Sequence, residues 1–556
     1  MGITERARTH TQAPGRLSAK IPRPRSSSSP DVAVDRRPPW RVPLVATLAV
    51  VPLYVVWAAV LSTGGGDLAA QLAWADFAGR HPWSAYNLSW YGGMHTASYS
   101  VLTPHLMAVL GVRTVSVAAG LGGSWALARL CVRSGVRWPV APAVLGSFGI
   151  WCNVASGRTT FALGAAIGLV ALVCVTGRPA VAAGCAALAT AASPVAGLFL
   201  VVAGAAYGLD GQGRRAFALL AAPVAVVAAT AVLFPFTGEQ PMRAGVLWMP
   251  LGTCAAVWLA APRSGGWRVV RFAAAVYAPG VVLTFCVASP VGTNVERLVG
   301  LAGPPVLLAA LLTGGRGRAG AVRRVGTAVL AGVLVVNTGW VVNKTDDDLE
   351  VSTTVPDWAV HTEGVVAALQ ALGADRTRVE VLPARNHREA ALLAPHVTMA
   401  RGWNRQLDVE RGRLFYGRTL APAAYRDWLD RWGVGLVVLH SGTPDSPAEA
   451  EAALVRRGAD WLEPVWQDTW WRVYRVRGAA GPVSAPGEVV RGDAATLVVR
   501  MPSAGSVRVR IAYSPWLRAN GGACVGRDGA WTRLTVPRAG VYRLDSRYRL
   551  PGGGGC

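Results

Sequence analysis

Apolar residues along this chain gather into runs of about the ~20 residues that a bilayer core requires, or somewhat fewer. Such runs lie near 42–62, 112–131, 138–154, 159–176, 179–192, 195–208, 216–234, 244–261, 270–288, 298–314 and 323–342. The fifth and sixth are short and meet at Ser193-Pro194, a pattern open to a helical pair meeting near the outer face or to a re-entrant feature. Between the first two runs lies a long connection, residues 63–111, amphipathic at first and then aromatic. The texture changes at Asn343-Lys344-Thr345-Asp346-Asp347-Asp348, where charge becomes dense. Beyond it Val365–Leu372 and Ala448–Arg457 read as helices, and Val379–Leu382, Val434–His440 and Trp471–Val476 as strands. These predict an α/β domain over 344–478. From 479 to 556 short strands (ATLVVRM, SVRVRIAY, WTRLTV, GVYRLD) separated by Gly, Pro and Ser predict a β-sandwich-like module. The expected fold class is a polytopic α-helical membrane protein of about 11 crossings over 41–343, followed by two extracytoplasmic C-terminal modules.

Composition agrees with lipid as a solvent. Of the 556 residues 52% are hydrophobic and 15% charged, against about 25% charged in soluble proteins. Between Arg41 and Val342 the only acids are Asp67, Asp76, Asp210, Glu239 and Glu296. The net charge of +24 divides into +19 over residues 1–343 and +5 over 344–556, so the excess sits in the N-terminal tail and the short loops. That is the signature of Lys/Arg retained on the cytoplasmic face, and it argues against a nucleic-acid partner. With eleven crossings, thirteen arginines fall on predicted inner loops and five on outer ones, and the nine Lys/Arg of the tail counted through Arg41 add to the inner side. The odd count exports everything after Val342. Residues 1–40, rich in Arg, Ser and Pro, are expected to be a disordered cytoplasmic tail, and the first run reads as a retained helix rather than a signal peptide.

Six cysteines lie singly in or beside apolar runs and read as small buried hydrophobes; Cys524 and Cys556 are open to pairing or to a free terminal thiol. The informative chemistry is in the first outer connection, GGGDLAAQLAWADFAGRHPWSAYNLSWYGGMHTASYSVLTPHL. Asp67 opens an amphipathic segment whose apolar face is Leu68, Leu72, Ala75 and Ala78, a position suited to an N-cap. A carboxylate at the lipid–water boundary also suits a general base, because a sugar hydroxyl is a poor nucleophile at neutral pH. Asp76, nine residues on, falls on the opposite side of a continuous helix and reads as solvated. Asn87, Trp90, Tyr91, His95 and His105 combine aromatic faces with polar groups, either as an interfacial belt or as walls of a sugar site, and Gly92-Gly93 predicts a tight turn. Arg158, Glu239, Arg243, Asn294, Glu296 and Arg297 lie at outer helix ends, where ionisable groups are candidates for binding. Arg297 suits a lipid phosphate, with snorkelling or a pair to Glu296 as its structural alternatives.

The order of tail, helix, long acid-opened outer loop, many helices and outer C-terminus resembles the GT-C superfamily of polyprenyl-phosphate-sugar glycosyltransferases. It is similar, more closely, to actinobacterial multipass integral membrane proteins. The stretches that carry this are Gly66-Asp67-Leu68, residues 87–93 (NLSWYGG), residues 290–294 (PVGTN) with Arg297-Leu298, residues 400–408 (ARGWNRQLD) and Leu414-Phe415-Tyr416. The resemblance implies a polyprenyl-phosphate sugar donor, a cell-envelope glycan or glycolipid acceptor, and Asp67 as base or metal partner. Many members pair two acids closely, whereas Asp67 has no acidic neighbour before Asp76, so no paired-acid motif supports a divalent metal. Two other classes compete. A scaffold binding glycan through its outer modules fits the same layout. A transporter predicts internal repeats and midplane charges, and the sequence has no convincing repeat.

Overall fold

The structure, a computed structural model, describes residues 38, 40–313, 320–417 and 419–548. The expectations for the tail over 1–37 and for Cys556 lie outside the described residues.

The first helix, α1 (Arg41–Val56), runs on through a π-helical turn, Trp57–Leu61. Two helices then form within the long connection, α2 (Asp67–Arg80) and α3 (Thr103–Leu110). The rest of the bundle is α4 (Val112–Arg133), α5 (Val140–Ala155), α6 (Thr159–Cys174), α7 (Pro179–Ala192), α8 (Pro194–Leu209), α9 (Gly213–Leu233), α10 (Trp248–Ala260), α11 (Trp267–Cys286), α12 (Arg297–Thr313) and α13 (Gly320–Thr353). Among the described residues six segments are long and apolar enough to cross a membrane: Arg41–Leu61, Val112–Arg133, Gly213–Leu233, Trp267–Cys286, Gly292–Thr313 and Arg323–Thr353. Five more apolar helices are shorter; the 14 residues of α7 span about 21 Å, less than a ~30 Å hydrocarbon core. Large apolar side chains such as Phe217, Val232, Leu259 and Val335 are exposed on the flanks of the bundle, where lipid rather than water would satisfy them. Inside, small residues let the helices approach closely: Ala182, Ala186 and Ala189 of α7 are fully buried, and a methyl group at Gly164 of α6 would meet Ser193 Cβ at 2.7 Å.

The α7–α8 junction forms a helical hairpin. The amide of Val101 donates to Ala191 O at 2.9 Å and the Thr103 hydroxyl to Ala192 O at 3.2 Å, so the junction lies at the same end of the bundle as the long connection. Helix α13 runs on to Thr353, well past the point where charge becomes dense. The loss of apolar character there marks where hydrocarbon contact ends, and the backbone stays helical, with Asn343 donating to Asp347 at 3.1 Å one turn on.

The remaining helices are α14 (Asp357–Val360), α15 (Glu363–Ala371), α16 (Arg388–Leu392), α17 (Arg405–Arg411), α18 (Pro422–Trp432) and α19 (Glu449–Arg457). They surround a four-stranded sheet of β1 (Arg378–Val381), β2 (Val434–His440), β3 (Leu462–Gln467) and β4 (Trp471–Val476), ordered β1-β2-β4-β3, in which β1 and β2 are parallel and the rest antiparallel. Strands β5 (Glu488–Gly492), β6 (Thr496–Met501), β7 (Gly505–Ala512), β8 (Leu517–Ala519), β9 (Cys524–Asp528), β10 (Trp531–Val536) and β11 (Gly540–Ser546) form two antiparallel sheets, β7-β10-β9 and β5-β6-β11-β8. Alternate residues point inward, giving a core with Val499, Val509, Leu534 and Leu544 at its centre.

The long connection threads both of these layers. Trp74, Trp90, Tyr91 and Met94 share one core with Val379, Val381, Leu436, Val438 and Trp471 of the α/β sheet. Tyr86 and Leu88 enter the core between the two antiparallel sheets. Helix α2 is therefore buried nearly all round, not on one face: Ala69, Ala70, Ala73, Trp74 and Phe77 are covered, while Leu72, expected on the apolar face, is exposed. Asp76 pairs with Arg80 one turn on, 2.9 Å to the guanidinium Nε, at the surface.

Candidate functional site

Where the bundle meets the α/β layer, five bundle segments and the 403–406 stretch converge on a cavity of about 280 Å³. The start of α2 supplies Asp67, and the turn between α5 and α6 supplies Arg158. The turn before α12 supplies Asn294, Glu296 and Arg297, and the extended part of α13 supplies Lys344 and Asp348. Gln240 comes from the α9–α10 connection, and Trp403, Asn404, Arg405 and Gln406 from the α/β layer.

Asp67 reaches this place through a backbone device. Gly66 before it has φ +63, a left-handed conformation that side chains avoid, and its amide donates to Asn386 O at 2.8 Å. Gly65 passes so close to α13 that a methyl group there would lie 2.6 Å from Ser352 O. The Thr63 hydroxyl bonds the carbonyls of Ser352 and Thr353 at 2.9 and 2.8 Å, and Arg388 of α16 donates to Thr63 O and Ser352 O at 2.5 and 2.7 Å. The exits of α1 and α13 are thus clamped together. Asp67 is the first helical residue and Gly66 the N-cap; the Asp67 charge still lies favourably at the helix N-terminus.

The charges of the cavity are nearly all paired. Arg158 donates to Asp348 at 2.8 Å and, more loosely, to Asp67 Oδ2 at 3.3 Å. Lys344 pairs with Glu296, and Arg405 with Asp445 at 2.9 Å while also lying over the Trp403 ring. Arg297 has no carboxylate partner among the described residues; its guanidinium sits 5.3 Å from the Phe161 ring centroid. Asp67 Oδ1 likewise has no hydrogen bond among the described residues, and the Asp67 side chain keeps 35% of its surface accessible. The cavity thus presents one cation without a salt bridge among the described residues, Arg297, which the Tyr99 side chain hydrogen-bonds and the Asp67 charge favours, and one carboxylate oxygen free to accept a proton. Among the described residues no group of three His, Cys, Asp or Glu is placed to hold a metal ion. The two nearest carboxylates, Asp67 and Asp348, converge on the Arg158 guanidinium.

The structure brings together Asp67, Arg158, Asn294, Glu296 and Arg297 and places the other sequence candidates elsewhere. Asn87, with its backbone bridged to Met94, accepts from the Ser89 amide. Trp90 and Tyr91 are core residues, the Tyr91 hydroxyl donating to Gly402 O at 2.6 Å. Tyr91, Gly92 and Gly93 all have positive φ, the expected tight turn. His95 is 4% exposed, bonded through Nδ1 to Ala85 O and through Nε2 to Ser514, and burial lowers its pKa to about 4. It is a neutral core residue. His105 lies edge-on to the Tyr548 ring, Glu239 pairs with Arg413 at 2.7 Å, and Arg243 is exposed.

Sequence reasoning missed Lys344, Asp348, Gln240, Trp403 and Arg405. Lys344 and Asp348 are four apart, a spacing that puts both on one face if the helix runs on past Val342. The stretch 400–408 divides in the fold. Arg401 is buried between Glu380, 2.8 Å from its Nε, and Glu451, over the face of Phe415. Asn404 caps α17 by accepting from the Leu407 amide at 3.0 Å. Trp403 stacks on His387 with centroids 3.4 Å apart.

A domain of unknown function, DUF8823, matches residues 484–526, within the paired antiparallel sheets. No curated protein matches the chain.

Proposed function

We infer that this chain is a membrane-embedded glycosyltransferase of the GT-C type. It moves a sugar from a polyprenyl-phosphate donor to a cell-envelope acceptor on the extracytoplasmic side, with Asp67 as general base. One observation carries the reading: Asp67 and Arg297, which has no salt bridge among the described residues, face a single cavity at the ends of apolar helices. Arg297 binds the donor phosphate through its planar fork, and Lys344 stands by to shift from Glu296 toward that charge. The acceptor hydroxyl gives its proton to Asp67 Oδ1 while its oxygen bonds the anomeric carbon, and the bond from that carbon to the phosphate oxygen breaks. Arg158, anchored on Asp348, positions Asp67 without consuming both of its oxygens. Eleven apolar helices among the described residues and the arginine bias of the loops support an N-terminus in the cytoplasm and a cavity outside.

The test is Asp67→Asn, with membrane expression verified, assayed for sugar transfer from a labelled polyprenyl-phosphate sugar into the envelope glycan fraction of a deletion strain. Loss of a general base is expected to lower the rate about 100-fold or more. Undiminished transfer by Asp67→Asn would sink the assignment. A second reading, a glycan-binding scaffold, is favoured by one feature: Asp67 already belongs to an ion-pair chain, Asp67–Arg158–Asp348, that explains its presence structurally.

A further inference from the structure

Across the start of α17, residues 404–407, from the cavity lies a larger cleft, about 540 Å³, that the transferase chemistry does not use. It is walled by the α9–α10 connection at 235–237, by α17 and α18, and by the β7–β8 and β9–β10 turns. Its charge is one-sided: Arg411, Arg413, Arg431 and Arg527 face it with a single carboxylate, Glu410. Arg413 is paired with Glu239, and Arg411 is held by two neutral acceptors, Tyr91 O and Gly93 O, at 2.6 and 2.8 Å. Arg431 and Arg527 are exposed and have no carboxylate partner among the described residues; Arg527 lies over the Tyr513 ring at 5.1 Å. The apolar wall is aromatic, with Trp428 beside Trp432 and Trp531 edge-on to Trp432 at 4.9 Å.

The aromatic wall suits the apolar side of a sugar ring, and the exposed arginines without carboxylate partners suit an anionic substituent. We propose that this cleft binds an oligosaccharide bearing carboxylate or phosphate groups, held as the acceptor strand whose end enters the neighbouring cavity. Only the word acceptor rests on the transferase reading; the binding does not. Leu407 lines the cleft and Gln406 the cavity, so a strand in one lies within a sugar or two of the other.

The test is calorimetric titration of the full chain, in a detergent without a sugar head group, with three probes of equal length: an oligogalacturonate, a phosphate-bearing oligosaccharide and a neutral oligosaccharide. At least one anionic probe is expected to bind tenfold or more tightly than the neutral one, and which one does so distinguishes carboxylate from phosphate. The Arg431→Gln/Arg527→Gln double variant, altered only at the surface, should lose that tenfold preference, and Asp67→Asn should keep it. Equal affinity for all three probes, or an unchanged preference in the double variant, overturns the proposal. Transfer measured in parallel keeps the outcomes separate, because a failed cleft leaves the Asp67 result standing.

Discussion

Gly157 fixes where Asp67 can stand, and replacing it tests the construction of the site. It occupies the turn between α5 and α6 with φ +77. A methyl group there would lie 2.7 Å from the Leu68 amide nitrogen and 3.1 Å from Leu68 Cβ. Gly211, in the turn between α8 and α9, has the same φ of +77 and nothing within 4 Å of the added carbon. Gly211→Ala therefore carries only the left-handed backbone cost, about 1–2 kcal/mol. Gly157→Ala carries that cost plus the clash: Leu68 must retreat about 0.7 Å to reach ordinary contact at 3.4 Å, at a further ~1–3 kcal/mol. Leu68 follows Asp67, so the retreat draws the carboxylate off Arg158. Thermal and denaturant unfolding of the full chain in detergent should rank wild type above Gly211→Ala above Gly157→Ala. Transfer by Gly157→Ala should fall by up to about 100-fold, the order expected for a displacement near 1 Å at a reacting group. Equal losses of stability in the two alanine variants would refute the idea that the α5–α6 turn seats α2.

Two further outcomes follow from buried charge in the α/β layer. Burial raises the pKa of Glu389 to about 8, so the folded chain keeps a proton that the unfolded chain releases near 4.5; this contribution to stability is complete below pH 4.5 and is lost as pH rises to about 8. Glu389→Gln removes the dependence, and its stability relative to wild type should rise by about 1.4 kcal/mol per pH unit across that window, which unfolding at pH 5, 6.5 and 8 will detect; a constant difference would contradict the assignment. Arg401 is 1% exposed between two fully buried glutamates, so Arg401→Met should cost about 3–5 kcal/mol by leaving them unpaired. Adding Glu380→Gln and Glu451→Gln should restore part of that loss, and no restoration would show that the ion pairing is not its source.

Much of the bundle was legible because lipid imposes a single rule over long windows. The apolar run at 112–131 became α4, Val112–Arg133, and the run at 179–192 became α7, Pro179–Ala192. Strands β2 and β4 fell at Val434–His440 and Trp471–Val476 as read. Short polar elements such as α16 and α17 were not legible, since five to seven residues carry too little periodicity. The site was legible only at helix ends, where a charge beside an apolar run stands out, as with Arg158 and Arg297. Lys344 and Asp348 hid in a stretch whose charge signalled a change of solvent while the helix went on. The aromatic loop misled for the opposite reason: Trp90, Tyr91 and His95 carry the composition of a sugar site, but long-range packing against 399–404 and 512–514 turned them into core. No local pattern encodes such packing.

The threading of residues 84–94 through both outer layers has a consequence for biosynthesis. The ribosome makes Trp90, Tyr91 and Met94 several hundred residues before it makes the strands that enclose them, and chains fold from the N-terminus at the pace of synthesis. The nascent polypeptide must carry an unsheltered greasy hairpin through every later insertion step, and it closes only when the final strands arrive. Reporter fusions ending inside the bundle will therefore expose a sticky surface that full-length molecules never present, and a chaperone that shields it should be a limiting factor for expression.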